Sequence, residues 1–113
     1  MKKKIELKNR FLFAASEHGK AFNNGDYKTA NKYWKKLNAL YQEAKENNEV
    51  DVFINLMNDK DQGVKIWAST FSLKFSPKQA KRSLKELSRA NSLIGLGAQT
   101  TLTLWKEEKL ELL

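Results

Sequence analysis

The stretch from Leu56 to Ala68, LMNDKDQGVKIWA, limits the architecture of this chain more than any other. Apolar Leu56 and Met57 close one segment, and a polar run ending in Gly63 makes a turn. Val64, Trp67, Ala68 and Phe71 then return at helical spacing. The run therefore reads as the elbow between two packed helices. Proline occurs once, at Pro77, and strand-like alternation is nearly missing, so the chain reads as helices separated by short polar breaks.

Periodicity places about six helices. The first is expected from about Ile5 to Phe22, with Ile5, Leu12, Ala15 and Phe22 near one face and Phe11 and Ala14 widening it. Asn23-Asn24-Gly25 supplies a left-handed stop, and Asp26 a cap for the second helix. That second helix runs from about Tyr27 to Asn47, with Ala30, Tyr33, Trp34, Leu37, Leu40, Tyr41 and Ala44 as its stripe. A short third, about Val50 to Met57, turns Phe53, Leu56 and Met57 inward. A fourth, about Gln62 to Lys74, presents Val64, Trp67, Ala68 and Phe71. Ser76-Pro77 is a helix start, Ser76 as cap and Pro77 at the first helical position, and Ala80, Leu84 and Leu87 face inward along the fifth. The sixth, about Leu93 to Glu107, carries Ile94, Ala98, Leu102 and Trp105, with Gly95 and Gly97 permitting close helix contact.

With 113 residues and 41% apolar content, the chain is expected to bury one core as a single domain, 1–113. A long hairpin over 1–48 would cap two helix pairs over 50–107, with an apolar tail at 108–113 that folds back or frays. Val64 and Ala68 recur as Ile94 and Ala98, a faint repeat consistent with two stacked units. The absence of cysteine excludes disulfides, thiolate zinc sites and cysteine nucleophiles. Lys2, Lys3 and Lys4 lead into Glu6, Lys8, Asn9 and Arg10 rather than an apolar run, so neither a secretory signal nor a membrane span is expected, and the cytoplasm is the expected location.

The net charge of +8 points to an acidic partner or nucleic acid. It is concentrated between Lys60 and Arg89, where eight basic residues face only Asp61 and Glu86. Within that stretch Lys78, Arg82, Lys85 and Arg89 succeed one another at steps of four, three and four, on the side of the fifth helix opposite Ala80, Leu84 and Leu87. This row is either a solvated face or a docking strip for carboxylates or phosphates. Arg82 and Arg89 suit bidentate pairing, and Lys65 and Lys74 extend the patch.

Other candidates have plainer readings. His18, the single histidine, has no converging partner in sequence and reads as an exposed helix residue. Asp59 and Asp61 lack further ligands at calcium-loop spacing and read as caps. Glu43 and Glu46 read as a solvated face beside Lys45. Trp34, Trp67 and Trp105 lie on apolar stripes and read as core rather than as stacking platforms, with Trp67 the one left open to a concave face. No catalytic residue, metal ligand or cofactor site is expected.

The Leu56–Ala68 elbow resembles the inner turn of a HEAT-type helical repeat, with an Asp in the loop and a Val-basic pair opening the second helix. From about Ala14 to Trp105 the chain is similar to a family of short bacterial helical proteins catalogued as a domain of unknown function. Leu56-Met57, Val64-Lys65, Ala68, Leu73, Ser76-Pro77, Ala80 and Leu104-Trp105 carry the likeness. The resemblance implies an all-α, right-handed α-solenoid-type domain of HEAT-like hairpins. It also implies a non-catalytic binding role. Because such groups often serve as immunity proteins, it implies one that neutralises a cognate bacterial toxin. The toxin would present an acidic or mixed surface, or would meet Asp51, Glu107, Glu108 and Glu111. Nucleic-acid binding through basic helix faces is the alternative. A glycosylase-type enzyme lacks both the repeats and an acid–base pair.

Overall fold

A computed structural model describes residues 2–110, and side chains from Lys4 onward. Six helices succeed one another: α1 (Lys2–Asn23), α2 (Tyr27–Glu46), α3 (Asp51–Asn55), α4 (Gln62–Ser72), α5 (Pro77–Leu87) and α6 (Leu93–Lys106). Among the described residues there is no strand.

The helix ends have local causes. Asp26 accepts from the Thr29 amide to start α2, Asp61 from Val64 to start α4, and Ser92 from Gly95 to start α6. Gly25 and Asn48 take positive φ after α1 and α2, as the asparagine- and glycine-rich breaks predict, and Glu108 does so after α6. In each case the next amide reaches back to close the last turn: Asp26 to Ala21, Glu49 to Ala44 and Lys109 to Leu104. Pro77 opens α5, but the Ser76 hydroxyl bonds the Gln79 side chain instead of a backbone amide. Here the expected cap is present in position and absent in function.

α4 lies at the centre, against α1, α3, α5 and α6, while α1 touches α2, α4 and α6. The core is an aromatic nest. Tyr41 stacks on Phe71 with centroids 4.5 Å apart, and Phe53 meets Phe11 at 4.9 Å and Phe71 at 5.1 Å. Leu37, Leu73, Ala80 and Leu84 complete it with no exposure.

Two expectations about faces are corrected. Phe11, Ala14 and Ala15 are buried as expected, but Ile5 is 59% exposed, and Leu7 and Ala21 complete the buried face of α1. The face turns because α1 must meet three helices rather than one. Trp34 is exposed, although Leu37, Leu40 and Tyr41 of the same helix are buried. Gly63, the end of the polar run, lies in the first turn of α4, within the helix expected from about Gln62. A Cβ built there would sit 2.2 Å from the Ala15 carbonyl oxygen, and one built on Gly19 would sit 2.7 Å from the Gly63 Cα. α1 and α4 therefore cross backbone against backbone, a contact that only residues without side chains allow.

Candidate functional site

α5 carries its charge outward. Ala80, Ser83, Leu84 and Leu87 are buried, and Ser83 donates its hydroxyl to the Met57 carbonyl at 2.7 Å, so the helix has a fixed rotation. Lys78, Arg82, Lys85 and Arg89 are all exposed, and with Lys81 and Glu86 they line one shallow depression of about 370 Å³. Among the described residues none of these five cations is ion-paired.

The two proposed extensions of this patch differ from it. Lys65 on α4 is only 18% exposed and reaches Glu86 at 3.6 Å, so its charge is already matched. Lys74 is exposed in the α4–α5 turn and does not line the depression. Four of the six sequence-picked residues thus share one surface, Lys81 joins them, and Lys65 and Lys74 do not.

Lys81 and Lys85 also border a second hollow with Leu102, Trp105, Lys106, Glu108 and Leu110. Trp105 is therefore half-buried beside cations, not sealed in the core. Of the acidic residues expected to face a partner, Asp51 pairs with Lys4, Glu107 with Lys109 at 3.7 Å, and Glu111 lies outside the described residues.

A separate cleft of about 470 Å³ opens between α1 and α2 on one side and α4 and α6 on the other. Its floor is a chain of rings. His18 lies parallel to Phe22 with centroids 5.8 Å apart and edge-on to Trp67 at 5.0 Å, and Trp67 meets Phe71 at 5.3 Å. The Trp67 indole N–H donates to His18 Nδ1 at 3.1 Å. His18 is thus half-buried and partnered, not an exposed helix residue. Burial holds its pKa below the usual 6.5, and an accepting Nδ1 leaves the proton of the neutral ring on Nε2.

The outer wall of the cleft is a stripe of α2 in which Tyr27, Asn31, Trp34 and Asn38 recur at steps of four, three and four. That stripe is a register of its own in the sequence, hidden when Trp34 is assigned to the apolar face. Among the described residues no charged one lines the cleft. Its equipment suits binding by ring faces and amides. His18 Nδ1 is occupied by the Trp67 N–H, which leaves its Nε2–H as a donor beside the amides.

The Asp59–Asp61 turn holds caps. Asp61 accepts from Val64 and from the Ser16 hydroxyl at 2.7 Å, and Asp59 accepts from the Asp61 amide. Glu43 pairs with Arg10 across to α1. Among the described residues no group of three or more acidic, histidine or cysteine side chains is placed to hold a metal ion, and no helix is long and apolar enough to cross a membrane. Comparison with protein-family models, with curated proteins and with solved structures found no match.

Proposed function

We propose that this chain is a non-catalytic protein-binding module that docks an acidic surface of a partner protein on the outer face of α5. In its specific form it is a cytoplasmic immunity protein that covers a cognate bacterial toxin. The observation that carries this reading is the set of five exposed cations, Lys78, Lys81, Arg82, Lys85 and Arg89, with no carboxylate partner among the described residues. Like charges at these spacings repel by a few tenths of a kcal/mol per pair, so the row does nothing for α5 itself. An incoming acidic surface would relieve that repulsion and speed encounter.

The neighbouring hollow adds what an interface of roughly 1,200–2,000 Å² needs beyond charge: an aromatic anchor, Trp105, with Leu102 beside it. The succession of α4 against α5 and α5 against α6, with the α1–α2 hairpin laid over α4, supports a HEAT-like stacking of hairpins.

Nucleic-acid binding is the second reading, and Trp105 sharing a hollow with Lys81 and Lys85 favours it, because a ring near cations can stack a base beside its phosphate. Affinity capture on nuclease-treated lysate of the source cells separates the two. The protein-binding reading expects one stoichiometric protein held by the wild type and lost from the R82E/K85E double variant. Capture that vanishes with nuclease, and an affinity falling with salt at a slope of roughly −0.7 to −0.9 per phosphate, would replace it with the nucleic-acid reading.

A further inference from the structure

We propose that the cleft walled by Trp34 is a binding site for a neutral, flat heteroaromatic ring of the purine class, held by stacking on Trp34 and by an amide of Asn31 or Asn38. This site shares no cation with the α5 surface and does not depend on the function assigned to that surface.

Three observations select the ligand. First, charge is absent from the described lining although the protein carries +8, so an anion finds no counter-charge there and a cation meets ring faces alone. Second, Trp34 is 45% exposed, and among the described residues its ring makes no aromatic contact and its N–H no hydrogen bond. An indole in that state presents a free face where a planar ligand gains most.

Third, the polar inventory is small and specific. The Thr70 and Thr101 hydroxyls donate to the Ile66 and Gly97 carbonyls, and the Trp67 N–H is spent on His18. The side-chain amides of Asn31 and Asn38 have no hydrogen-bond partner among the described residues.

Those amides sit one turn to either side of Trp34, and helix neighbours at such spacing are about 5–6 Å apart at Cβ. A bicyclic ring lying on Trp34 therefore brings its edge to one of them. An asparagine amide, donor and acceptor side by side, matches a ring edge carrying an amino group next to a ring nitrogen. A sugar fits worse: its several hydroxyls would outnumber the two amides, the Tyr27 hydroxyl and the His18 Nε2–H, and each one buried unpaired is costly. The volume of about 470 Å³ lies within the usual range for small-molecule pockets.

Such a ring can arrive as a free nucleoside or as a base of a single strand, and the probes separate these sources. Adenosine, an adenine octanucleotide and maltose are titrated into the full chain by calorimetry, with tryptophan fluorescence alongside because Trp34 and Trp67 both line the cleft. The oligonucleotide arm uses the R82E/K85E background, which removes charge binding at α5.

Saturable adenosine binding is expected. W34A should weaken it roughly 5- to 150-fold, the range for loss of one stacking platform. N31A or N38A should weaken it roughly 2- to 10-fold. Binding of the oligonucleotide but not of adenosine, with the same loss in W34A, supports the site and assigns the base to a strand. No binding of either probe, equal binding by W34A, or competition by maltose overturns the proposal. W34A is expected to stay folded because Trp34 lies outside the core, and its far-UV circular dichroism checks this.

Discussion

Trp67 on α4 and His18 on α1, 49 residues apart in sequence, are joined by an indole N–H donating to imidazole Nδ1 at 3.1 Å. The bond requires an unprotonated Nδ1. Protonation would remove the acceptor and place a cation among uncharged groups, since among the described residues no carboxylate lines the cleft and nearby Glu17 is paired with Lys20.

Stability should therefore depend on pH through His18. Its folded pKa lies below the unfolded value, so the unfolded chain takes up the proton first as pH falls. The stabilisation is complete above about pH 6.5 and declines below it, down to the folded pKa. The urea midpoint should fall between about pH 7.5 and about pH 5, above the range where most carboxylates titrate. H18Q retains an acceptor that does not titrate, and its midpoint should stay level over the same interval.

Gly63→Ala should be costly. The added methyl would meet the Ala15 carbonyl oxygen at 2.2 Å, and backbone cannot rotate away as a side chain can. A loss of about 2–3 kcal/mol is expected by chemical denaturation, at the upper end for overpacking. A change within about 0.5 kcal/mol would mean that α1 and α4 do not cross so closely.

Among the described residues two buried hydroxyls have no hydrogen-bond partner: Tyr41 at the centre of the aromatic nest and Ser69 inside α4. Tyr41→Phe keeps the stacking on Phe71 and removes an unpaired polar atom, so stability should hold or rise by up to about 1 kcal/mol. Ser69→Ala should add about 0.5–1 kcal/mol, because alanine also has the higher helix propensity. Thermal melts of the two variants test both.

Among the described residues Glu86 is the single carboxylate in the α5 depression, and it is paired with Lys65. E86Q should cost about 1 kcal/mol or somewhat more in stability, since Glu86 is exposed but Lys65, mostly buried, loses its counter-charge. It should also raise the association rate with an acidic partner at low salt and leave it unchanged at high salt, where steering is screened. Stopped-flow association at two ionic strengths separates these effects.

Much of the helix order is legible from periodicity and breaks. Gly25 and Asn48 mark stops that need positive φ, and Ala80, Leu84 and Leu87 identify the inner face of α5 with no help from neighbours. Rotation is harder to read where a helix meets several partners. Spacing puts Ile5 on one line and Leu7 on another, but only the arrangement of α2, α4 and α6 around α1 decides which is covered. Trp34 misleads for a related reason: its neighbours in register include both Leu37 and Asn38, and a cleft wall is not distinguishable from a core by apolarity alone. The His18–Trp67 bond and the bare crossing at Gly63 are products of tertiary approach, with no local signature beyond the residue types themselves.

Asn23, the last residue of α1, accepts from the Ile94 amide in the first turn of α6, 71 positions away. Ser16 does the same kind of service at the start of α4 by bonding its capping carboxylate. Both later helices thus borrow part of their beginnings from the first one. A fragment starting at Asp51 would lack those partners and would open the bare side of Gly63 to water, so it should not persist as a smaller folded unit. Unlike a long repeat array, which can lose a unit and stay folded, this protein should unfold as a whole, and a single cut in α1 should dismantle both ends together.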